Sequence, residues 1–434
     1  MKLELAPDLV AESTGARAGS VWALVLLTLV YGLSIVDRSI FGLLLQPIKL
    51  ELQFSDTMLG LIGSVGFAFT YALAGLPLSR LADRLNRKKV VALGLATYSL
   101  ITALTGTCAS AFQLATARIG LAVGEAAVLP AATALISDYY PRNSRARAMG
   151  VLGAGPPLAT VFGFSIAGAV SQSFGWRGAY VCVGMLGLVL AVIVRFTMTE
   201  PQRGQSEEIQ ADRRPMSLSN TLGFLSSQRS YVLLIAGAVL MACTMASLSA
   251  WGPAFLGRVH HLGGRELGFD LGLISGVGGI VGTLSGGFCS DLLGRNSFKW
   301  KLLVPAFSCL LAAPSLLLFL FAPSLSLAFA GLTLCTGLVA AQYGALFATL
   351  QSVVKVSVRA FSVSVFLVFT TVIGVGLGPL AVGIATDRLT AKFAGAAIRY
   401  SMLIPTCSCF VGGLLILLAI RFVDDDLRRV GSKP

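Results

Sequence analysis

Apolar runs of about twenty residues recur from one end of this chain to the other, broken by short charged or Gly/Pro-rich stretches. A helix of that length spans the ~30 Å of hydrocarbon in a bilayer, and no soluble core needs so many of them. The runs lie near 21–46, 57–79, 90–110, 113–137, 147–172 and 177–198, then near 230–256, 268–290, 301–321, 324–353, 360–385 and 397–421. The sequence therefore predicts an all-α polytopic membrane protein with twelve transmembrane helices, called spans one to twelve below. Only 12% of the residues are charged, against about 25% in a soluble domain. The polar first twenty residues lack the charged-then-apolar pattern of a signal peptide, so the first span is expected to be retained.

The formal charge of +13 follows from loop composition and implies no nucleic-acid partner. Residues 80–89 hold five Lys/Arg against Asp83, and 138–147 hold Arg142, Arg145 and Arg147 against Asp138. The loops at 291–301 and 355–359 are also basic, whereas the intervening loops, apart from 387–399, are close to neutral. All the strongly basic loops fall on the side shared by both termini. The positive-inside rule makes that side cytoplasmic, in the inner membrane if the source is bacterial. Eight scattered cysteines show no metal-ligand spacing, and the only histidines, His260 and His261, share one loop. We expect no metal, no cofactor other than protons as coupling ion, and no nucleophile–base constellation of an enzyme.

The predicted division is a tail over 1–20, a six-helix bundle over 21–198, a linker over 199–228, a second bundle over 229–422 and a tail over 423–434. The halves echo each other six spans apart. SRLADRLNRKK (79–89) follows the second span and GGFCSDLLGR (286–295) the eighth; GAGPP (153–157) lies in the fifth and GVGLGP (374–379) in the eleventh. Parallel repeats of this kind set a working site at their interface near mid-membrane.

Asp83, Arg84, Arg87 and Lys88 after the second span, with Gly287, Asp291, Gly294 and Arg295 after the eighth, resemble the G-x-x-x-D-R-x-G-R-K signature of the major facilitator superfamily. Ser79 and Asn86 depart from its glycines. Within that superfamily, VDRSIFG (36–42), LADRLNRKK (81–89) and RIGLAVGEAAVLPAATALISDYYP (118–141) resemble the spinster family of lysolipid and sphingolipid transporters. The anion:cation symporters, carriers of sugar acids, are similar over the same Asp-Arg and Arg-x6-Glu positions. The resemblance implies alternating access between two pseudo-symmetric bundles, in a protein working as a monomer among membrane lipids. It also implies that Asp83 faces the N-terminus of span eleven and that Arg84 or Arg87 reaches Asp138, forming a cytoplasmic gate.

Four charges lie deep in the apolar spans: Asp37 and Arg38 on the first, Arg118 and Glu125 on the fourth. Each costs about 2.5–3.5 kcal/mol at the bilayer centre unless it meets a partner or water. Seven residues put Arg118 and Glu125 on one helical face, ~10 Å apart along the axis. Matching their depths predicts Asp37 paired with Arg118, and Glu125 within reach of Arg38. Asp37 and Glu125 are the candidate proton carriers; Arg38 and Arg118 are the candidate ligands for a substrate phosphate or carboxylate. The second half offers only apolar, aromatic or neutral groups, among them Met241, Trp251, Gln342, Tyr343, Phe366 and Phe369. A cavity charged on one wall and apolar on the other suits an amphiphile. Expected alternatives are a sugar-acid/proton symporter and a drug/proton efflux transporter.

Overall fold

The structure, a computed structural model, describes residues 7–140, 142–201, 218–295, 297–355 and 358–430; the side chains of 79–84 lie outside that description. Asp83 and Arg84, two of the expected gate residues, and most of the linker are therefore outside the described set. Among the described residues there is no strand. That is the expected outcome in hydrocarbon, where a helix satisfies its own backbone and an open sheet edge cannot.

Among the described residues nine segments are long and apolar enough to cross a membrane. Arg147–Thr197 holds two spans, because the chain turns at Gly175, whose φ of 69° a side chain would resist. Phe361–Val430 likewise holds two, separated by the short turn Ala394–Ala396. Helix Arg87–Thr105, whose first turn is basic, supplies the remaining span, so the twelve expected are present. Intramembrane hydroxyls are mostly satisfied by carbonyls one turn back, as Thr28 is by Leu24 and Thr160 by Pro156.

Each half packs as its own bundle, and the pairings repeat. In the first half span one packs on five, two on four and three on six; in the second, seven packs on eleven, eight on ten and nine on twelve. Between the halves, span five lies along eight, one along seven, and two along eleven. Small residues permit the close approaches. Gly268 faces the Phe164 carbonyl and Gly42 the Ser249 carbonyl with no room for a Cβ. Spans two and eleven meet at paired π-helical turns, Leu61–Val65 and Thr370–Leu377, where the Ser64 hydroxyl lies 2.8 Å from the Gly376 carbonyl.

We call the end carrying the 80–89 loop the basic face and the other end the opposite face. Span four is interrupted at Ala127 and span ten at Gln342, and their basic-face halves, Val128–Tyr139 and Tyr343–Ser352, pack chiefly within their own bundles.

Candidate functional site

Arg38 and Glu125 meet as expected from depth. Arg38 Nε donates to both Glu125 oxygens at 2.8 and 3.0 Å, and its Nη2 lies 2.7 Å from Oε1. The guanidinium also sits 4.9 Å from the Phe67 ring centre and 4.7 Å from that of Tyr71, so the pair is held among aromatic faces as well as by charge. The partners differ in access: the Arg38 side chain is 34% exposed and that of Glu125 only 4%. Together they line a small recess of about 10 Å³ with Tyr31, Ser34, Tyr71, Val128, Leu129 and Ala132. The last three belong to the basic-face half of span four, which forms that part of the recess wall.

The expected Asp37–Arg118 ion pair is not made. Asp37 turns toward span three, where the Thr102 hydroxyl lies 2.7 Å from its Oδ2, and its Oδ1 has no partner. Arg118 instead lies 4.2 Å over the Phe41 ring, one turn beyond Asp37, with Nε and Nη2 unpartnered. Both are buried, and neither lines the recess. Matching depth along two helices is not enough for contact, because residue 37 faces a third helix.

The second-half candidates separate as well. Trp251 is fully buried and donates to the Pro379 carbonyl at 2.9 Å, which makes it part of the packing between spans seven and eleven. Phe366 is buried with its edge toward Phe347, while Phe369 and Tyr343 are exposed. Tyr343, 59% exposed, stacks on Phe347. Met241 is buried, as is Gln342, whose Oε1 lies 3.7 Å from the Cys309 sulfur.

At the basic face Arg87 pairs with Asp138; the Arg84 side chain lies outside the described residues. Glu200 accepts from the N–H groups of Arg87 and Lys88 at 2.9 and 2.7 Å, capping the N-terminus of span three beside Asn86, whose side chain accepts from the Lys89 N–H. A carboxylate there satisfies free N–H groups and meets the positive helix end.

A cluster at the opposite face escaped sequence reasoning. Asp56, at the start of span two, receives both terminal nitrogens of Arg258 from span seven at 2.8 and 2.7 Å, and Lys49 at 2.8 Å. Gln46 accepts from Arg258 Nε at 2.7 Å. Asp387, from span eleven, accepts the N–H groups of Asp56 and Thr57 at 3.0 and 2.7 Å. One bundle thus caps a helix N-terminus of the other, and the two are joined across the opposite face. The only signal in the sequence was that these charges stand at span ends outside the basic loops.

The sequence profile of the family described as Major Facilitator Superfamily matches residues 27–379. An MFS-type efflux pump of Mycolicibacterium smegmatis is 32% identical over 411 residues, 94% of each chain. A hexuronate transporter of Bacillus subtilis is 25% identical over 419 residues, 92% of each. Among solved structures, a bacterial homologue of the human lysosomal transporter spinster, in an inward-facing and unoccupied conformation, superposes with a TM-score of 0.83. It shares 27% identity, over 94% of this chain and 98% of its own.

Proposed function

The chain belongs to the major facilitator superfamily, and on that premise we propose that it is a proton-coupled secondary transporter of a single-tailed anionic amphiphile, lysolipid- or sphingolipid-like. The observation that carries this reading is the Arg38–Glu125 pair. It is one accessible arginine held by one buried carboxylate, at the edge of a recess with apolar and aromatic walls.

While both groups are charged the pair is neutral and Arg38 is occupied. A proton on Glu125 removes the countercharge and leaves a cation in an apolar recess, which is costly unless an anion replaces it. A phosphate or carboxylate head group matches the guanidinium fork. Proton binding and anion binding are then linked through one side chain, and each changes the affinity for the other by the same factor. The tail has an apolar surface in Tyr343, Phe347 and Phe369 of the second bundle. Arg118 lies outside the recess, so the head group is assigned to Arg38 alone, and the proton to Glu125 with Asp37 behind it.

If the basic face is cytoplasmic, as the positive-inside rule has it, the Asp56–Arg258–Asp387 cluster closes the outside, which makes this the inward-opening state. The likeness to a spinster homologue captured inward-facing agrees with that assignment. During the cycle the outer cluster parts as the basic face closes, while Arg87–Asp138, a contact within the first bundle, is already formed in the inward-opening state.

The relative that is 32% identical, an MFS-type efflux pump, favours a second reading, efflux, for which a lipophilic drug is the test substrate. Thermal-shift binding to purified protein separates the two. A lysophospholipid with a phosphate head group should stabilise the protein more at acid than at neutral pH, and Arg38→Ala should abolish the effect. Stabilisation by a lipophilic cation alone supports efflux, and by a hexuronate alone a sugar-acid carrier.

A further inference from the structure

Thr102 is fully buried on span three, and its hydroxyl has two oxygen neighbours: Asp37 Oδ2 at 2.7 Å and the Tyr98 carbonyl at 2.9 Å. One hydroxyl has a single proton to donate but two acceptor sites. A carbonyl can only accept. A carboxyl accepts when ionised and also donates when protonated. The two neighbours therefore ask for opposite orientations of the same O–H, depending on the charge of Asp37. With Asp37 ionised, the hydroxyl turns its proton to the carboxylate. With a proton on Oδ2, Asp37 donates to the Thr102 oxygen and the hydroxyl turns to the Tyr98 carbonyl. Both states keep a hydrogen bond at the same heavy-atom positions.

We propose that Thr102 is a positioning residue for proton coupling, a hydroxyl rotor that holds Asp37 in both protonation states without moving a helix. The inference rests on the reading of Asp37 as a proton carrier given above. No bond of Thr102 breaks; its hydroxyl only rotates, and the proton that binds and leaves belongs to Asp37.

Packing fixes the two short distances. Gly184 and Gly187 of span six press against the Ser99–Ala103 stretch of span three with no room for a Cβ. Span three therefore cannot retreat from span one. The other charged and titratable groups about Asp37 are Glu125 and Arg118 on span four, Tyr98 on span three and Tyr180 on span six, with Arg38 next along its own helix. Among the described residues, Thr102 is the one seen hydrogen-bonded to the Asp37 side chain. Asp37 Oδ1 and the Tyr180 hydroxyl have no partner of their own.

Removing the hydroxyl takes more from the ionised form than from the neutral one, since a hydrogen bond to a charged group is about twice as strong as a neutral one. Protonation of Asp37 should then occur at higher pH. The test is an infrared pH titration of the carboxylic-acid band of Asp37 in protein reconstituted into phosphatidylcholine liposomes, the band being assigned by its loss in Asp37→Asn. It needs no transported substrate. Thr102→Val should raise the titration midpoint by about one pH unit, and Thr102→Ser should return it to the wild-type value. Thr102→Ala gives the same comparison if the valine variant does not fold. A titrating band whose midpoint is the same with and without the hydroxyl overturns the rotor and leaves the proton carrier standing. A wild-type protein in which Asp37 does not titrate overturns both.

Discussion

Neighbouring residues on a helix point about 100° apart, so Asp37 and Arg38 share a depth in the membrane and nothing else. Arg38 looks into the recess and is partly exposed; Asp37 is sealed between spans one and three. That division assigns them different chemistry and makes separable predictions. Arg38→Lys keeps the charge but loses the fork, and should weaken lysophospholipid binding by about tenfold, roughly 1.4 kcal/mol, in a thermal-shift titration. Glu125→Gln removes the titrating countercharge. It should make the same binding independent of pH while proton-driven uptake in proteoliposomes is lost. Binding that keeps its full pH dependence in this variant would transfer the proton from Glu125 to another group. The Arg38–Glu125 pair was legible in the sequence, because spacing and opposite helix direction set both depths. The neighbour of Asp37 was not, because Thr102 is an ordinary residue in an apolar span, and only its approach to Asp37 gives it a role.

At the scale of elements, the ends of the helices are where the two bundles are joined or left apart. The first N–H groups of span two would be unsatisfied on their own; Asp387 from the other bundle accepts two of them, and the Ser55 hydroxyl accepts that of Met58. Arg258 and Lys49 then share Asp56. The first bundle thus supplies a helix end and a carboxylate, and the second a carboxylate and a guanidinium. The contacts of Asp387 and Arg258 with residues 56 and 57 need the opposite face closed. Burial pushes the Asp387 carboxyl up, but its hydrogen bonds at Thr57 and Asp56 and the charge of Lys49 outweigh that and hold it below the ordinary aspartate value. A carboxyl depressed in the closed form stabilises closure above its ordinary pKa and loses that contribution as pH falls through the depressed value. Asp387→Asn should shift the closed-to-open ratio toward opening by about fivefold to thirtyfold, equivalent to 1–2 kcal/mol. Distances between spin labels across the opposite face would report it, and an unchanged distribution would remove Asp387 from the gate. The sequence pointed to a basic-face gate through its repeated motif, of which the described residues show the Arg87–Asp138 pair within the first bundle. It carried no comparable motif for the opposite face, whose partners are as much as 331 residues apart.

Across the whole molecule, the spacing of the helices is set by small residues at particular crossings rather than by the number of glycines. Gly268 on span eight lies against the backbone at Phe164 and Gly168 of span five, whereas Gly153 has open space where a Cβ would stand. Gly268→Ala should therefore destabilise the folded protein by about 1–3 kcal/mol, by forcing the bundles apart. Gly153→Ala should leave the melting temperature unchanged or raise it slightly, since alanine restricts the unfolded chain. Equal effects at the two positions would mean that the span five–eight contact does not limit stability. Both glycines lie in predicted spans, and the sequence does not say which of them faces a neighbouring helix.

Hydropathy and charge, which act along the chain, were determined by the sequence alone: helices rather than sheet, twelve crossings, two repeats, and a basic face. Those properties depend on each segment's own transfer into lipid, so neighbours in space are not needed to read them. The depths of Asp37, Arg38, Arg118 and Glu125 follow for the same reason, since rise per residue fixes them. Rotation of each helix about its axis, and the docking of one bundle on the other, were decided only by the tertiary structure. Glycine contacts and cross-bundle hydrogen bonds between distant segments set these, and they turned Asp37 to Thr102, left Arg118 over Phe41, and closed the face that carries Asp56, Arg258 and Asp387.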